Sequence, residues 1–572
     1  MTHLPAASAN SLWFASNLPA WARFRDALQR PAETQLRLLQ CHLDENRDCA
    51  YGKAHGFADI SSYEQFAKRV PLSDYDSLEP WIDRIVSGEA RVLTRQPVSH
   101  LVPTSGSSGP RRLIPFTAGL QNEFNRAIGP WIVDLYRQHP SLVLGSAYWS
   151  ITPATGSAGI LPASSGNQSA TARSPGSVRI GFDDDAAYLG GVRGNLVRAV
   201  MAVPRQLQHV ADMDVFKYVT LLCLLRRPDL RLISIWHPSF LRLLLDALET
   251  GWESLLHDIG TGGCRYGNKL SLPVLQALNL RPLPQRAAEL SRGHPRKPET
   301  IWPQVRVISC WGDGNAEQEA DSLQEFFPRA LIQRKGLLAT EAFVTIPFAG
   351  SRPIAIRSHF FEFMDEQGRF HLAHELREGP VYEVIVTTAS GLWRYRIGDQ
   401  VQVNGFVGKT PSLRFLGRKG NISDRCGEKL SEAFVGHALQ KALGGLAPIP
   451  LFTLLAPDKD DFGYYYTLYL EGKAPECLAV RVESELRANP NYALCRDLGQ
   501  LQPVRLFRVK RGHDIYIRRQ LTAGRRLGDI KACLLSCETE WRVWFKAGAV
   551  PNQSAFSSIQ APDESALPPQ CK

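Results

Sequence analysis

Residues 219–248 read VTLLCLLRRPDLRLISIWHPSFLRLLLDAL, a stretch in which the pattern of apolar residues changes twice. The first apolar run predicts a buried helix over 213–225, and the later leucines at helical spacing predict another over 239–258. Between them, LRLISIW at 230–236 is short and rich in apolar residues, as is typical of a buried strand. Helix and strand in alternation indicate an α/β layer.

From about residue 305 the sequence has a different character. Segments such as VYEVIVTTASGLWRYRIGD (381–399) are rich in β-branched and aromatic residues and interrupted by glycine. This pattern predicts a mostly β subdomain. The polar stretch GRKGNISDRCGEK (417–429) predicts a linker, and a smaller unit of helices and strands follows it.

The length of 572 residues requires more than one hydrophobic core. We therefore expect an α/β protein with a large N-terminal domain over 1–424 and a small, mobile C-terminal α+β domain over 425–548. The Pro-, Ser- and Gln-rich end, 549–572, predicts a disordered tail. A site shared across the hinge between two such domains allows a closing motion to exclude water.

The composition, 44% hydrophobic and 21% charged residues, is that of a soluble globular protein. The net charge of +10 is a mild excess of 66 basic over 56 acidic residues, so we expect no nucleic-acid partner. Eleven scattered cysteines predict neither a disulfide framework nor a metal cluster. The N-terminus does not resemble a signal peptide and no apolar run could cross a bilayer. We expect a cytoplasmic monomer without a membrane partner.

A loop rich in hydroxyl groups and glycine is the first candidate for a binding site. Residues 104–115 read TSGSSGPRRLIP. Such a loop exposes backbone N–H groups among side-chain O–H donors, an arrangement that suits phosphate. The stretch lacks the Walker A pattern, and an ordinary surface turn is the alternative interpretation.

Three later stretches carry charged residues between apolar neighbours. KGLLATEAFVTIP (335–347) contains Thr340 and Glu341, LWRYRIGDQVQV (392–403) contains Asp399, and SLRFLGRKG (412–420) contains two arginines. In this order the loop and these stretches resemble the adenylate-forming superfamily of acyl-activating enzymes. The sequence motifs most resemble those of the Gretchen Hagen family of acyl acid–amido synthetases, known from plant auxin-responsive enzymes and bacterial relatives. The resemblance extends over nearly the whole chain, to about residue 540.

The resemblance implies a reaction in two steps. A carboxylate attacks the α-phosphate of ATP and gives an acyl adenylate and pyrophosphate. An amine, usually that of an amino acid, then displaces AMP and forms an amide. The resemblance further implies an ATP site built from Thr104, Ser105, Gly106, Ser107, Ser108, Gly109, Arg112, Thr340, Asp399, Arg414 and Arg418.

Individual roles follow from the same resemblance. Glu341 is a catalytic residue that holds Mg²⁺, and the carboxylate of Asp399 accepts the ribose hydroxyls. Arg414 or Arg418 contacts ribose or phosphate, and the sequence does not separate the two. Lys531, in AGRRLGDIKACLLS (523–536), brings a positive charge to the reacting carboxylate and phosphate.

Three positions depart from the family pattern. Arg112 stands where the family has lysine, Leu337 stands where an aromatic residue stacks on adenine, and no proline follows Lys531. Trp311 or Phe343 are alternative stacking partners.

Purely structural interpretations remain open for single residues. Glu341 is then a salt-bridged acid, Asp399 starts a turn after Gly398, and Lys531 is a solvated helix lysine. For the whole chain, the alternatives are a ligase that forms a coenzyme A thioester and a non-catalytic member that binds nucleotide or a small acid.

Overall fold

The computed structural model describes residues 6–104, 112–151, 179–180, 191–313, 316–418, 422–423, 425–426, 428–446, 448–475, 477–497, 500–523, 525, 530 and 532–547. The predicted tail over 549–572 lies outside these residues.

The strands are β1 (Val98–Thr104), β2 (Arg112–Thr117), β3 (Ser146–Trp149), β4 (Arg179–Ile180), β5 (Leu230–Ser234), β6 (Val307–Cys310), β7 (Leu331–Arg334), β8 (Phe360–Met364), β9 (Phe370–Leu372), β10 (Val381–Thr387), β11 (Tyr395–Val407), β12 (Thr410–Arg418), β13 (Ile422–Ser423), β14 (Leu430–Ser431), β15 (Phe452–Asp460), β16 (Gly463–Glu471) and β17 (Leu501–Arg508). The helices are α1 (Ala6–Ala27), α2 (Pro31–Asn46), α3 (Ala50–Ala54), α4 (Tyr63–Arg69), α5 (Tyr75–Val86), α6 (Ala118–Gln138), α7 (Gly191–Val200), α8 (Met213–Leu225), α9 (Pro238–Thr261), α10 (Leu272–Leu278), α11 (Pro284–Leu290), α12 (Pro298–Ile301), α13 (Glu317–Phe326), α14 (Glu432–Leu443), α15 (Leu478–Leu486), α16 (Pro490–Asp497), α17 (Gly512–Thr522) and α18 (Trp541–Ala547).

A four-stranded parallel sheet in the order β3-β5-β6-β7 forms the α/β layer. The helices predicted over 213–225 and 239–258 are confirmed as α8 and α9, which flank β5 in the chain. Both helices contribute to one buried core with β5 and β6 because their leucines lie within it. One expectation was wrong: β6 and β7 belong to this parallel sheet and not to the β-rich block, because they pair with β5 and with each other.

The β-rich block is a five-stranded antiparallel sheet in the order β12-β11-β10-β8-β9. Its middle strand, β10, is buried along almost its whole length. Along β11, buried residues alternate with more exposed ones over the first nine positions, as expected for a strand with one face on the core. A third sheet, β2-β1-β4, stands beside α5 and α6.

The unit from β13 to α18 forms the small domain. Its sheet, in the order β15-β16-β17, combines an antiparallel and a parallel pair. Leucines and tyrosines of this sheet pack against α14 and α15 in a core of their own. The prediction of a smaller unit of helices and strands after the linker is confirmed, and α14 over Glu432–Leu443 is its first helix.

The predicted linker, 417–429, is more structured than expected. Its first two residues complete β12, and Ile422–Ser423 pairs with Leu430–Ser431 as the short hairpin β13–β14. Glu428 is fully buried and accepts a hydrogen bond from the hydroxyl of Tyr466 in β16 at 2.6 Å. The second half of the predicted linker is therefore fastened to the small domain.

Candidate active site

The carboxyl ends of β3, β5, β6 and β7 meet at one edge of the parallel sheet, where open α/β sheets bind their ligands. The segments that leave this edge carry Trp236 after β5, Trp311 after β6 and Lys335 after β7. The ammonium of Lys335 donates to the Ile235 carbonyl at 2.8 Å and lies 5.0 Å from the centre of the Trp236 ring. The segments that follow β5 and β7 are thus in contact across the end of β6.

Asp313 connects this edge to the antiparallel sheet. Its carboxylate accepts the backbone N–H of Phe415 in β12 at 3.1 Å and pairs with the guanidinium of Arg352. The Trp311 ring meets the Phe415 ring edge-on, with centroids 5.4 Å apart. Trp311 is half-buried at the sheet edge, whereas Phe343 is buried against Phe124, so of the two alternative stacking partners only Trp311 is partly accessible.

Thr340 and Glu341 form the tip of a short hairpin that follows β7. This Glu341 hairpin, residues 337–345, is closed by mutual backbone hydrogen bonds between Ala339 and Ala342 at 2.9 and 3.3 Å. A Cβ at Gly336 would lie 2.1 Å from the Thr345 carbonyl oxygen, so only glycine permits this close approach. Glu341 is only 7% exposed, which argues against the interpretation that it is an ordinary surface acid.

The Glu341 hairpin also joins the two sheets. Ile354 bridges to Thr345 of the hairpin, and Pro353 bridges to Ser412 of β12. Ala355 N–H donates to the Val344 carbonyl at 2.8 Å. A continuous backbone path therefore runs from the edge of the parallel sheet through the hairpin to β12.

Asp399 lies inside β11, so the interpretation as a turn-initiating residue is wrong. Opposite β10, the pairing passes from Gln400 to Arg396 while β10 advances by only two residues, so the residues around Gly398 form a bulge. Gly398 has a φ of +83°, which favours glycine. Bulges re-aim side chains next to functional sites, and here the bulge sets the direction of the fully buried Asp399.

The two arginines of β12 differ in their surroundings. Arg414 pairs with Glu317 at 3.0 Å, and Arg334 of β7 shares the same carboxylate at 2.7 Å. The backbone of Arg418 lies directly opposite Asp399 in the β11–β12 ladder. Register thus brings position 418, rather than position 414, next to Asp399.

The predicted phosphate loop connects β1 and β2. Thr104 and Arg112 are the last paired positions of these antiparallel strands, and Ser105 to Gly109 lie outside the described residues. The guanidinium carbon of Arg112 is 5.6 Å from the centre of the Tyr75 ring. The Tyr75 hydroxyl accepts the backbone N–H of Leu113 at 3.0 Å, which fixes the start of β2.

Lys531 also lies outside the described residues. The residue before it, Ile530, is buried in a second core of the small domain with Phe452 and Trp541. Leu535, further along, bridges to Leu455 of β15. The segment on both sides of Lys531 is therefore part of the folded small domain.

Titratable side chains meet where the small domain contacts the large one. His513 of α17 pairs with Glu319 of α13, and His237 Nδ1 lies 3.4 Å from the same carboxylate. Burial raises the pKa of Glu319 well above its usual value. Arg242, Asp246 and other charged residues line a small cleft beside this contact.

The sequence reasoning missed Asp313, Glu317 and Lys335. Each follows or opens an element at the carboxyl edge of the parallel sheet, and recognising β6 and β7 as parallel strands would have pointed to all three. Among the described residues, no group of three or more His, Cys, Asp or Glu side chains could hold a metal ion. No helix in the described part of the chain is long and apolar enough to cross a membrane.

Comparisons with known proteins match most of the chain. The GH3 family N-terminal domain matches residues 20–332, the central domain 353–418 and the C-terminal domain 432–540. The indole-3-acetic acid-amido synthetase GH3.3 of Arabidopsis thaliana is 25% identical over 486 residues, which cover 79% of this chain and 76% of the relative. The probable indole-3-acetic acid-amido synthetase GH3.4 of Oryza sativa subsp. japonica is 26% identical over 551 residues, covering 86% and 84%.

A solved structure shares the fold. The AtGH3.15 acyl acid amido synthetase in complex with 2,4-DB superposes with a TM-score of 0.80 at 20% identity, covering 92% of this chain and 95% of that one. The expected architecture, an α/β protein with a large N-terminal and a smaller C-terminal part, is confirmed. With family domains matched from residue 20 to residue 540, the chain belongs to the GH3 family, whose resemblance its motifs had carried.

Proposed function

We propose that this chain is an ATP-dependent acyl acid–amido synthetase, which adenylates a carboxylic acid and transfers the acyl group to the amine of an amino acid. One observation carries the proposal. In a GH3 chain, a nearly buried glutamate occupies the tip of the hairpin that joins the parallel sheet to β12, and β12 lies against the bulge that sets Asp399. These are the two acidic groups that the adenylation chemistry requires.

In the first half-reaction, the loop at Ser105–Gly109 with Thr104, Thr340 and Arg112 binds the triphosphate through N–H, O–H and guanidinium donors. Asp399 accepts the ribose hydroxyls. Arg418 rather than Arg414 assists there, because its backbone faces Asp399 while Arg414 is paired with Glu317.

Mg²⁺ fits the proposed site as a partner of the nucleotide and not as a resident ion. Mg²⁺ is usually held by one or two carboxylates together with substrate phosphates. Among the described residues, Glu341 belongs to no group of three or more metal-binding side chains, so the protein does not supply a full set of ligands. Bound with ATP, Mg²⁺ would neutralise charge on the phosphoryl oxygens, and we expect no tight Mg²⁺ binding without nucleotide.

The small domain serves the reacting centre with Lys531. A compact ammonium stabilises negative charge that develops on the carboxylate and α-phosphate. The predicted boundary at 424/425 falls within the hairpin β13–β14, which is fastened to the small domain. We therefore place the hinge between Arg418 and Ile422, so that residues 422–547 rotate together between adenylation and transfer. The protein acts as a cytoplasmic monomer.

The first half-reaction gives the direct test. Purified protein, ATP and Mg²⁺ are incubated with radiolabelled pyrophosphate and a panel of aromatic and aliphatic acids, beginning with indole-3-acetic acid, the acid in the names of the relatives. At least one acid should stimulate incorporation of label into ATP above the acid-free blank, and chelation of Mg²⁺ should abolish it. A folded protein that binds ATP but shows no acid-dependent exchange with any panel member would be a nucleotide-binding member without this activity.

A further inference from the structure

The Glu341 hairpin is short and its tip is not self-supporting. Two-residue hairpin turns are favoured when their central residues have positive φ, which matches the twist of the strands. Neither Thr340 nor Glu341 has a positive φ. The geometry of this turn therefore needs support from outside the hairpin.

One residue of the hairpin has its backbone polar groups turned outward. Ala339 and Ala342 form the hydrogen-bonded pair, and the next pair is Leu338 and Phe343. Hydrogen-bonded and non-hydrogen-bonded pairs alternate in an antiparallel ladder. The N–H and C=O of Phe343 consequently point away from Leu338.

Two consecutive residues from a neighbouring segment take up both of these groups. The Phe343 N–H donates to His359 Nε2 at 3.1 Å. Ser358 Oγ lies 3.1 Å from the Phe343 carbonyl oxygen and 2.6 Å from the Ala355 carbonyl oxygen, so the two carbonyls share its single proton. Both side chains are fully buried. These contacts of Ser358 and His359 with the Phe343 backbone, the Phe343 clamp, act two residues along the chain from Glu341.

His359 is in turn oriented by a buried carboxylate. Because its Nε2 accepts a hydrogen bond, Nδ1 carries the proton and donates to Glu123 at 3.0 Å. The same carboxylate oxygen accepts the Ala389 N–H at 3.0 Å, in the turn between β10 and β11. His42 Nε2 lies 3.0 Å from the other carboxylate oxygen.

Glu123 stays ionised in this position. Burial raises the pKa of its carboxyl, but the hydrogen bonds from His359 and His42, reinforced by ring charge whenever an imidazole is protonated, outweigh burial and lower it to about 2. A buried charge with fixed partners holds its neighbours in one arrangement, because displacing any partner leaves the charge uncompensated. Glu123 thereby connects the Glu341 hairpin with the turn that leads into the Asp399 strand.

We propose that His359, oriented by Glu123, is a positioning residue that fixes the Glu341 turn for Mg²⁺–ATP. The inference rests on the proposed function, since it assigns Glu341 to the metal–nucleotide complex. His359 does not touch the nucleotide and acts only through the backbone of Phe343. Its closest mechanistic counterpart is an outer-shell partner of a metal ligand, whose loss typically lowers metal affinity about 10- to 100-fold.

Two substitutions separate the two hydrogen bonds of the ring. His359→Gln places an amide oxygen near the position of Nε2 and keeps the acceptor for Phe343. His359→Asn places an amide nitrogen near Nδ1, keeps the donor to Glu123 and loses that acceptor. Ser358→Ala is a third, smaller change that removes the hydroxyl shared by the Phe343 and Ala355 carbonyls, and it tests the same clamp if the histidine variants do not fold.

Two measurements on the full chain are made for each variant. Hydrogen–deuterium exchange of a peptide covering 338–346 reports the clamp without any need for activity. The Mg²⁺ concentration that half-saturates acid-dependent pyrophosphate exchange reports its effect on the site. We expect His359→Asn to speed exchange of that peptide and to raise the half-saturating Mg²⁺ at least about 10-fold, with His359→Gln much closer to wild type and Ser358→Ala in between.

The outcomes are distinct. Equal peptide exchange and an unchanged Mg²⁺ requirement in folded His359→Asn or Ser358→Ala protein would overturn the inference. Equal damage in the Asn and Gln variants, seen as lower thermal stability with no change in Mg²⁺ requirement, would make His359 a packing residue only. If the wild type shows no acid-dependent exchange at all, the proposed function fails, while the peptide exchange still shows whether the clamp exists.

Discussion

Two glutamates of the large domain, Glu123 and Glu319, have pKa values that shift in opposite directions. The pKa of Glu123, behind the Glu341 hairpin, is raised by burial, but His359 and His42 outweigh burial and lower it to about 2. The pKa of Glu319, which faces the small domain, is raised well above its usual value because burial outweighs the nearby Arg242. Each carboxylate lies beside two histidines, but only at Glu319 does burial determine the direction of the pKa shift.

The difference suggests separate tasks for the two regions. Around Glu123, hydrogen bonds go to backbone groups of neighbouring segments, so the geometry of the Glu341 hairpin is held in one state. Around Glu319, the contact between domains consists of side chains that burial makes unfavourable as charges, including His513, whose pKa burial lowers to about 3. Such a contact is easily released, which suits a small domain that moves between two half-reactions.

The largest expected effect concerns the Glu341 hairpin, the region that is held in one state. Glu341→Gln removes the carboxylate at the hairpin tip while keeping its shape. We expect acid-dependent pyrophosphate exchange to fall at least about 100-fold, since a stabiliser of transition-state charge is worth about 3 kcal/mol. Glu366→Gln, at an exposed position between β8 and β9, is the matched control and should retain activity. Exchange near the wild-type rate in Glu341→Gln would remove this residue from the mechanism.

A change at the β11 bulge should have an intermediate effect. Gly398→Ala forces a side chain into a φ of +83° next to Asp399, which costs about 1–2 kcal/mol and shifts the bulge. We expect the KM for ATP to rise about 10-fold, because Asp399 then meets the ribose in a poorer direction.

Gly405→Ala is the control for this experiment. Gly405 has a φ of +138° in the same strand, six residues beyond Asp399, and a Cβ there would meet open space. Both alanine variants should lose stability in thermal unfolding, but only Gly398→Ala should raise the KM. A similar rise in both would show that general strain in β11, and not the aim of Asp399, sets ATP affinity.

The smallest effect concerns the contact between domains. The raised pKa of Glu319 means that the contact is favoured below the usual value of 4.5 and weakens as pH rises through the raised pKa. The lowered pKa of His513 acts in the opposite direction, so the contact also weakens as pH falls below 6.5. His237, Arg242 and Glu471 face the same pair.

Glu319→Gln should remove the alkaline limb alone. In small-angle scattering from pH 5 to pH 9, we expect the wild type to open at both ends of the range and the variant to open only at the acidic end. The population shift should be a few-fold, as expected for about 1 kcal/mol in a contact of this kind. Identical alkaline behaviour of the two proteins would exclude Glu319 as the titrating group.

The sequence predicted helices and strands well where the apolar residues follow a single periodicity. Helices α8 and α9 and strand β5 appear at the expected places because their apolar residues are continuous or helically spaced. The sequence could not assign β6 and β7 to the parallel sheet, since a short apolar strand has the same residue pattern in a parallel and in an antiparallel sheet. The order and spacing of the motifs predicted the family.

The geometry of the site was less accessible from sequence. For Asp399, predicted to bind ribose, the alternative of a turn-starting residue stayed open because a glycine before an aspartate is common in turns, and only pairing on both sides of β11 reveals a bulge. The connection from Glu123 to His359 spans 236 residues, and no local pattern marks it. Buried polar partners of this kind depend on the tertiary fold rather than on spacing.

The central claim, that the chain makes an amide from an acid through its adenylate, is tested most directly by the second half-reaction. The enzyme is loaded with ATP, Mg²⁺ and the acid that gives the strongest exchange, and the acyl adenylate is then offered amino acids, simple amines or coenzyme A. The account predicts that an amino acid discharges the adenylate with release of AMP, giving a product whose mass is that of acid plus amino acid minus water. Efficient discharge by coenzyme A, with none by any amine, would contradict it and identify a thioester ligase.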